Sequence, residues 1–169
     1  IDYKKRVVTE ILPRTNEIRR PPVSNITQAV IVTSFVNPDF GTNLIDKILI
    51  ELEFNKIKPV ICLTKKDLLK ENELEKYQDI INYYQHIGYP VYYNDEIDNL
   101  IKIFKDEVTV FIGQTGAGKS TLLNKLVPSL NLKTGEVSET LGRGRHTTRH
   151  IEIFSLFDGL ILDTPGFSA

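Results

Sequence analysis

The sequence predicts an α/β fold, a doubly wound and mostly parallel sheet with one antiparallel strand. Three observations predict it. Short, wholly apolar runs recur along the chain, the mark of strands covered on both faces, and stretches with apolar residues at helical spacing separate them. The fourth such run leads through a glycine-rich turn straight into a helix. Late in the chain two β-patterned runs flank Asp158-Gly159, a dipeptide that favours hairpins.

Residues 7–12 form a short β-like run ended by Pro13. A lone strand is not stable by itself, so this run reads either as the last strand of an upstream unit or as a frayed terminal extension. Arg19-Arg20-Pro21-Pro22 then reads as a proline-stiffened linker. Ala29-Val30-Ile31-Val32 is the first buried strand, and Leu44, Ile45, Ile48, Leu49 and Leu52 recur at helical spacing after it. Pro59-Val60-Ile61-Cys62-Leu63 is the second, followed by a helix with a stripe of Leu74, Tyr77, Ile81 and Tyr84. Asn72 and Glu75 have capping-box spacing, and Gly88 with Pro90 supplies the stop. Pro90-Val91-Tyr92-Tyr93 precedes a shorter helix with Ile97, Leu100, Ile101 and Phe104. Val108-Thr109-Val110-Phe111-Ile112 is the fourth strand, and its helix runs through Leu122, Leu123 and Leu126. Residues 127–150 carry no sustained apolar period, which in a compact domain marks a functional or disordered loop. Ile151-Glu152-Ile153-Phe154 and Leu160-Ile161-Leu162 complete the set as a hairpin.

Composition narrows the functions available. A chain of 169 residues suits one domain, and 41% hydrophobic with 25% charged residues suffices for a core. With 21 Lys and Arg against 22 Asp and Glu, the net charge of -1 is not that of a polyelectrolyte coating nucleic acid. Any nucleic-acid contact would therefore have to be local. No apolar run approaches the roughly 20 residues needed to cross a bilayer. Cys62 alone cannot form an internal disulfide, and with His86, His146 and His150 it falls short of a zinc cluster, a pattern that fits a reducing cytoplasm. The chain lacks Met and begins at Ile1, so it is expected to be a fragment.

Three segments carry chemistry. Gly113-Gln114-Thr115-Gly116-Ala117-Gly118-Lys119-Ser120 is a complete G-x-x-x-x-G-K-S between a strand and a helix, with Thr121 next on that helix. Its backbone N–H groups would face phosphate oxygens, with Lys119 bridging the β and γ phosphates and the Ser120 hydroxyl on magnesium. Asp163-Thr164-Pro165-Gly166 follows a buried strand. Asp163 is placed to hold magnesium and Gly166 to offer an N–H to the γ-phosphate, whereas alone the tetrapeptide is an ordinary proline turn. Thr64-Lys65-Lys66-Asp67 also follows a buried strand. Its carboxylate can accept from the N1–H and exocyclic amine of guanine, a pair adenine does not offer, and the Lys65 stem would lie along the base. The fold expected is therefore a P-loop NTPase sheet.

The base-reading segment precedes the phosphate loop and the acid, a rotation of the usual GTPase order. Gly142-Arg143-Gly144-Arg145-His146-Thr147-Thr148-Arg149, Asn131-Leu132-Lys133-Thr134-Gly135-Glu136, Ile11-Leu12-Pro13-Arg14 and Arg20-Pro21-Pro22 accompany that order. With them the whole chain resembles the RsgA/YjeQ-type small-subunit biogenesis GTPases of bacteria. The resemblance implies a circularly permuted G domain over residues 23–169. It makes residues 1–22 the tail and linker of an OB-fold, and puts a zinc-binding domain after residue 166, so that zinc is expected only outside this chain. The implied activity is magnesium-dependent hydrolysis of GTP to GDP and phosphate in late maturation of the 30S subunit. The implied partners are that subunit and 16S rRNA, for a cytoplasmic monomer with no membrane contact. The threonine completing the magnesium shell would lie in His146-Thr147-Thr148, at Thr148 by analogy with GTPases in which it precedes an arginine, or at Thr147.

Two departures bear on mechanism. Phe167 follows Gly166 where Ras-like enzymes keep a water-orienting glutamine, so slow intrinsic hydrolysis is expected, with His146 or a partner's group positioning water. Tyr93-Asn94 stands near the place of the usual Ser-Ala behind the guanine carbonyl, so that contact is either lost or made by backbone N–H alone. Lys133, Arg143, Arg145 and Arg149 make the long loop basic, either as ordinary solvated charge or to report nucleotide state to RNA. Two other functions remain open: a nucleotide-gated RNA-binding module with incidental turnover, and an ATP-using P-loop enzyme.

Overall fold

Isolated β-like residues gain little until their ladder finds a partner. The computed structural model describes residues 9–11, 13–70, 72–130, 132 and 151–164, and in it residues 9–11 belong to no strand. The other members of the expected first run, Val7, Val8 and Leu12, lie outside the described residues. Arg19-Arg20-Pro21-Pro22 is instead the turn region of an antiparallel hairpin, β1 (Glu17–Arg19) with β2 (Pro22–Ser24). Ile18 of this hairpin is buried in the main core. Asn16 fixes its base, since its Nδ2 donates to Ile26 O at 2.7 Å and its Oδ1 accepts from Ile26 N at 2.9 Å.

Beyond the hairpin the strands fall where the apolar runs place them. They are β3 (Gln28–Ser34), β4 (Lys58–Thr64), β5 (Val91–Tyr93), β6 (Val108–Ile112), β7 (Glu152–Leu156) and β8 (Gly159–Asp163). The six form one sheet in the order β5-β4-β3-β6-β8-β7, with every neighbouring pair parallel except β7 with β8. Successive strands step outward from β3 to β5, then β6 returns to the other side of β3. That reversal opens a crevice between β3 and β6 at the carboxyl edge, where ligands of open α/β sheets bind.

Helices cover both faces, as a doubly wound sheet requires. α1 (Thr42–Phe54) and α2 (Glu75–His86) pack on the face that carries Ile31, Ile61 and Val110. α3 (Ile97–Lys102) and α4 (Lys119–Leu126) pack on the other, against Val30, Cys62 and Phe111. Alternate residues of one strand thus feed two cores, and burial of each Leu or Ile contributes about 1.5–3 kcal/mol. Cys62 is fully buried, and burial pushes its thiol up to about 12.

Local chemistry departs from expectation at two ends. Asn72 and Glu75 form no capping box: α2 starts after Leu74 with no side-chain cap, and Asn72 takes a left-handed φ of +65°. The carboxylate that turns back is that of Glu73, which accepts from Lys70 N at 2.8 Å. The late hairpin forms, but its two turn residues are Phe157 and Asp158, at φ +54° and +57°, with Leu156 opposite Gly159. Gly159 is needed for close approach instead. A Cβ there would overlap the Phe104 carbonyl and lie 2.8 Å from Glu107 O. In the long segment after α4, Pro128–Leu130 is one 3-10 turn, and residues 133–150 lie outside the described residues.

Candidate functional site

Each chemistry-bearing segment begins where a parallel strand ends, so sheet geometry alone gathers them at one edge. Residues 64–67 follow β4, residues 113–120 follow β6, and Asp163 ends β8. The phosphate loop curls because Gly116 and Gly118 adopt φ of +82° and +98°, a region costly to residues with a Cβ. Gly118 is the N-terminal cap of α4, so that helix starts at Lys119 with its first N–H groups facing the loop. Ser120 is half-buried and Thr121 exposed on its first turn.

Lys119 is only 7% exposed, and its Nζ donates to Gly113 O at 2.7 Å and Gln114 O at 2.9 Å. Burial pushes its ammonium down to about 8, and the Asp163 carboxylate partly opposes this. Asp163 shows the converse: burial raises its carboxyl above the ordinary value, the Lys119 ammonium lowers it and Glu152 adds to the rise. Its Oδ1 is buried with no hydrogen-bond partner among the described residues. Such an orphan costs free energy unless a proton or cation meets it. A buried carboxylate oxygen and a helix-start hydroxyl are the hard oxygen donors that a largely hydrated magnesium ion takes, so Asp163 and Ser120 fit that ion. Among the described residues no group of three or more His, Cys, Asp or Glu side chains forms a metal cage.

The segment 64–67, expected to read a base, is bonded to the glycine-rich loop 113–120. Thr64, 2% exposed, donates through Oγ1 to Ala117 O at 2.6 Å. Lys65 takes a left-handed φ of +60° and its Nζ donates to Asn37 O in the loop after β3. Lys66 and Asp67 are exposed in the 3-10 turn Lys66–Leu68. The Asn94 N–H donates to Leu63 O at 3.0 Å, extending the ladder, which favours the first of the two alternatives at this position. His146, Thr147, Thr148, Gly166 and Phe167 lie outside the described residues.

Three further contacts take part, and of their residues only Asn37 lies outside the segments named from the sequence. Asn37 receives Lys65, the Tyr93 ring faces Lys66, and Thr164 Oγ1 donates to Phe111 O at 2.7 Å, tying the segment after β8 to β6. Asn37 belongs to an Asn-Pro dipeptide, which favours a turn.

Comparison with known proteins agrees with this arrangement. The family model described as RsgA GTPase matches residues 11–169. The chain belongs to the RsgA GTPase family. Among its relatives, the small ribosomal subunit biogenesis GTPase RsgA of Enterococcus faecalis is 51% identical over 165 residues, covering 96% of this chain and 56% of the relative. The Bacillus subtilis protein of the same name is 48% identical over 172 residues, covering 98% and 58%. Two solved structures share the fold. YloQ, described as a circularly permuted GTPase, superposes with TM-score 0.71 at 40% identity, over 95% of this chain and 51% of its own. YjeQ from Thermotoga maritima gives 0.73 at 31% identity, over 94% and 54%. This RsgA-family chain thus spans a little over half the length of the relatives it matches. Its segment order, residues 64–67 before 113–120 before 163, goes with the circularly permuted fold expected from the sequence.

Proposed function

We propose that this chain is a magnesium-dependent GTP-hydrolysing domain that acts in late maturation of the small ribosomal subunit. The observation that carries the nucleotide part is the Thr64 bond to Ala117 O. It locks a guanine-reading segment to a phosphate loop at one sheet edge. The names of the relatives support the ribosomal part.

Within this reading the residues divide the work. The loop amides of residues 113–120 and the start of α4 bind the phosphates. Lys119 leaves its two loop carbonyls for phosphate oxygens, a charge-assisted exchange that favours the more highly charged triphosphate. Asp67 accepts from guanine N1–H and its amine, with the Lys65 stem along the base. Ser120 and Asp163 would hold magnesium, which when bound would supply charge neutralisation for the phosphates. Thr148, or Thr147, completes that shell, Gly166 offers an N–H to the γ-phosphate, and His146 or a partner's group positions water. Residues 1–22 would be the tail and linker of an upstream OB-fold, with Ile18 of the linker packed on the core of the G domain formed by residues 23–169. The 30S subunit and its 16S rRNA are the partners of a cytoplasmic monomer, and no described helix is long and apolar enough to cross a membrane.

Phosphate release from GTP with magnesium, measured with and without purified 30S subunits, tests this reading. Acceleration by subunits is expected. GTP binding with turnover that subunits leave unchanged would favour a nucleotide-gated RNA-binding module instead.

A further inference from the structure

Asp67 can read a guanine edge only if its short turn stands still, and 3-10 turns are poorly held by their own bonds. The turn Lys66–Leu68 has two backbone bonds, Leu68 N to Lys65 O and Leu69 N to Lys66 O, both 3.1 Å, and no side-chain cap. Something outside the motif must steady it. Lys66 Nζ lies 4.5 Å from the centroid of the Tyr93 ring.

Tyr93 is a fixed platform. Its N–H donates to Glu96 Oε2 at 2.6 Å, Glu96 N–H returns to Tyr93 O at 3.1 Å, and the next residue's N–H is bonded to Leu63 O. The ring stacks on Phe35, with centroids 6.5 Å apart and planes at 29°. Phe35 is 1% exposed and is itself held by Tyr77, 5.0 Å away, and Phe40, 6.0 Å away. A buried aromatic stack therefore presents one π face at the surface, beside the base-reading turn. An ammonium over that face is attracted by the ring quadrupole and loses the freedom to carry its turn with it.

We propose that Tyr93 is a specificity-determining positioning residue, whose ring clamps Lys66 and so holds the Asp67 turn in register with the guanine edge. The inference deepens the guanine reading above and rests on it. It assigns a role to the position where Ser-Ala was expected. The aromatic side chain acts on the turn that carries the carboxylate, while the Asn94 N–H stays in the ladder.

The test is equilibrium titration of GDP and ADP into the wild-type chain, Tyr93→Leu, Tyr93→Phe, Lys66→Gln and the Tyr93→Leu/Lys66→Gln double variant. An exposed cation–π pair corresponds to about a two- to fivefold loss of GDP affinity in Tyr93→Leu. Tyr93→Phe, which keeps the π face, is expected to restore wild-type affinity, and Tyr93→Leu to add nothing once Lys66 is gone. Should Tyr93→Leu not fold, the exposed Lys66→Gln carries the same test, with the same loss expected. Equal losses in Tyr93→Leu and Tyr93→Phe, additive losses in the double variant, or full affinity in Lys66→Gln would each overturn the clamp. A wild-type chain that binds ADP as tightly as GDP would overturn the guanine reading itself, a separate outcome.

Discussion

Lys119 makes nucleotide affinity depend on pH in a direction the structure specifies. Its ammonium is buried, and its pKa stands at about 8 instead of 10.5. A phosphate anion beside it favours the charged form, so binding draws the pKa back up and takes up a proton from solution. Phosphate groups have their second ionisation near about pH 6 and stay fully charged above neutrality. From about pH 7 to about pH 8.5, the charged fraction of Lys119 in the free chain then falls from about nine-tenths to about a quarter. GDP affinity should weaken by about fourfold over that interval. Calorimetric titration of GDP in two buffers with different ionisation heats should give about half a proton taken up per nucleotide at about pH 8. The same shift fixes a stability trend. The folded chain holds fewer protons at this group than the unfolded one between about pH 8 and about 10.5, so its contribution to stability rises with pH across that window and its penalty is complete below it. Constant GDP affinity from neutrality upward, together with no proton uptake, would refute the argument.

Three substitutions probe other parts of the account. Lys119→Ala should weaken GTP binding roughly 10- to 100-fold, the worth of a hydrogen bond to a charged group, and unchanged affinity in an equilibrium titration would contradict the role given to it. Thr64→Val removes the hydroxyl bonded to Ala117 O and leaves a buried carbonyl short of its donor, so denaturant unfolding should show a loss of about 1–3 kcal/mol; an unshifted midpoint would mean that the two loops are not tied there. Gly159→Ala drives a methyl into the Phe104 and Glu107 carbonyls and should cost more than about 2 kcal/mol, whereas Asp158→Gly should change stability by less than about 1 kcal/mol. The opposite ranking would return the glycine requirement to the turn itself.

The parts of the fold that follow from burial on both faces were legible. Residues 29–32, 59–63 and 108–112 can satisfy their composition only as interior strands, and the segments after them reach one edge because the strands are parallel. The motif residues 64–67, 113–120 and 163 therefore came with their placement. Contacts between elements were not legible, because nothing in a local pattern records which loop lies beside which. Thr64 to Ala117, Lys65 to Asn37 and Lys66 to Tyr93 join segments 27 or more residues apart. Where two local explanations shared one residue, pattern chose the commoner. Gly159 was expected to serve the turn and serves a close approach, and Asn72 was expected to cap α2 while Glu73 turns back instead. Pro21 and Pro22 read as linker stiffeners, yet they stand at the turn and start of a hairpin whose Ile18 enters the core.

The central claim, that the edge formed by β4, β6 and β8 selects guanine through Asp67, is tested most directly by paired titrations. GDP and xanthosine diphosphate would be bound to the wild-type chain and to Asp67→Asn. The carboxylate accepts from the guanine amine, while an amide can instead donate to the 2-oxo group of xanthine. The account predicts that the wild type prefers GDP and that Asp67→Asn prefers the xanthine nucleotide. Retention of GDP preference in Asp67→Asn, or tight ATP binding indifferent to the substitution, would contradict it.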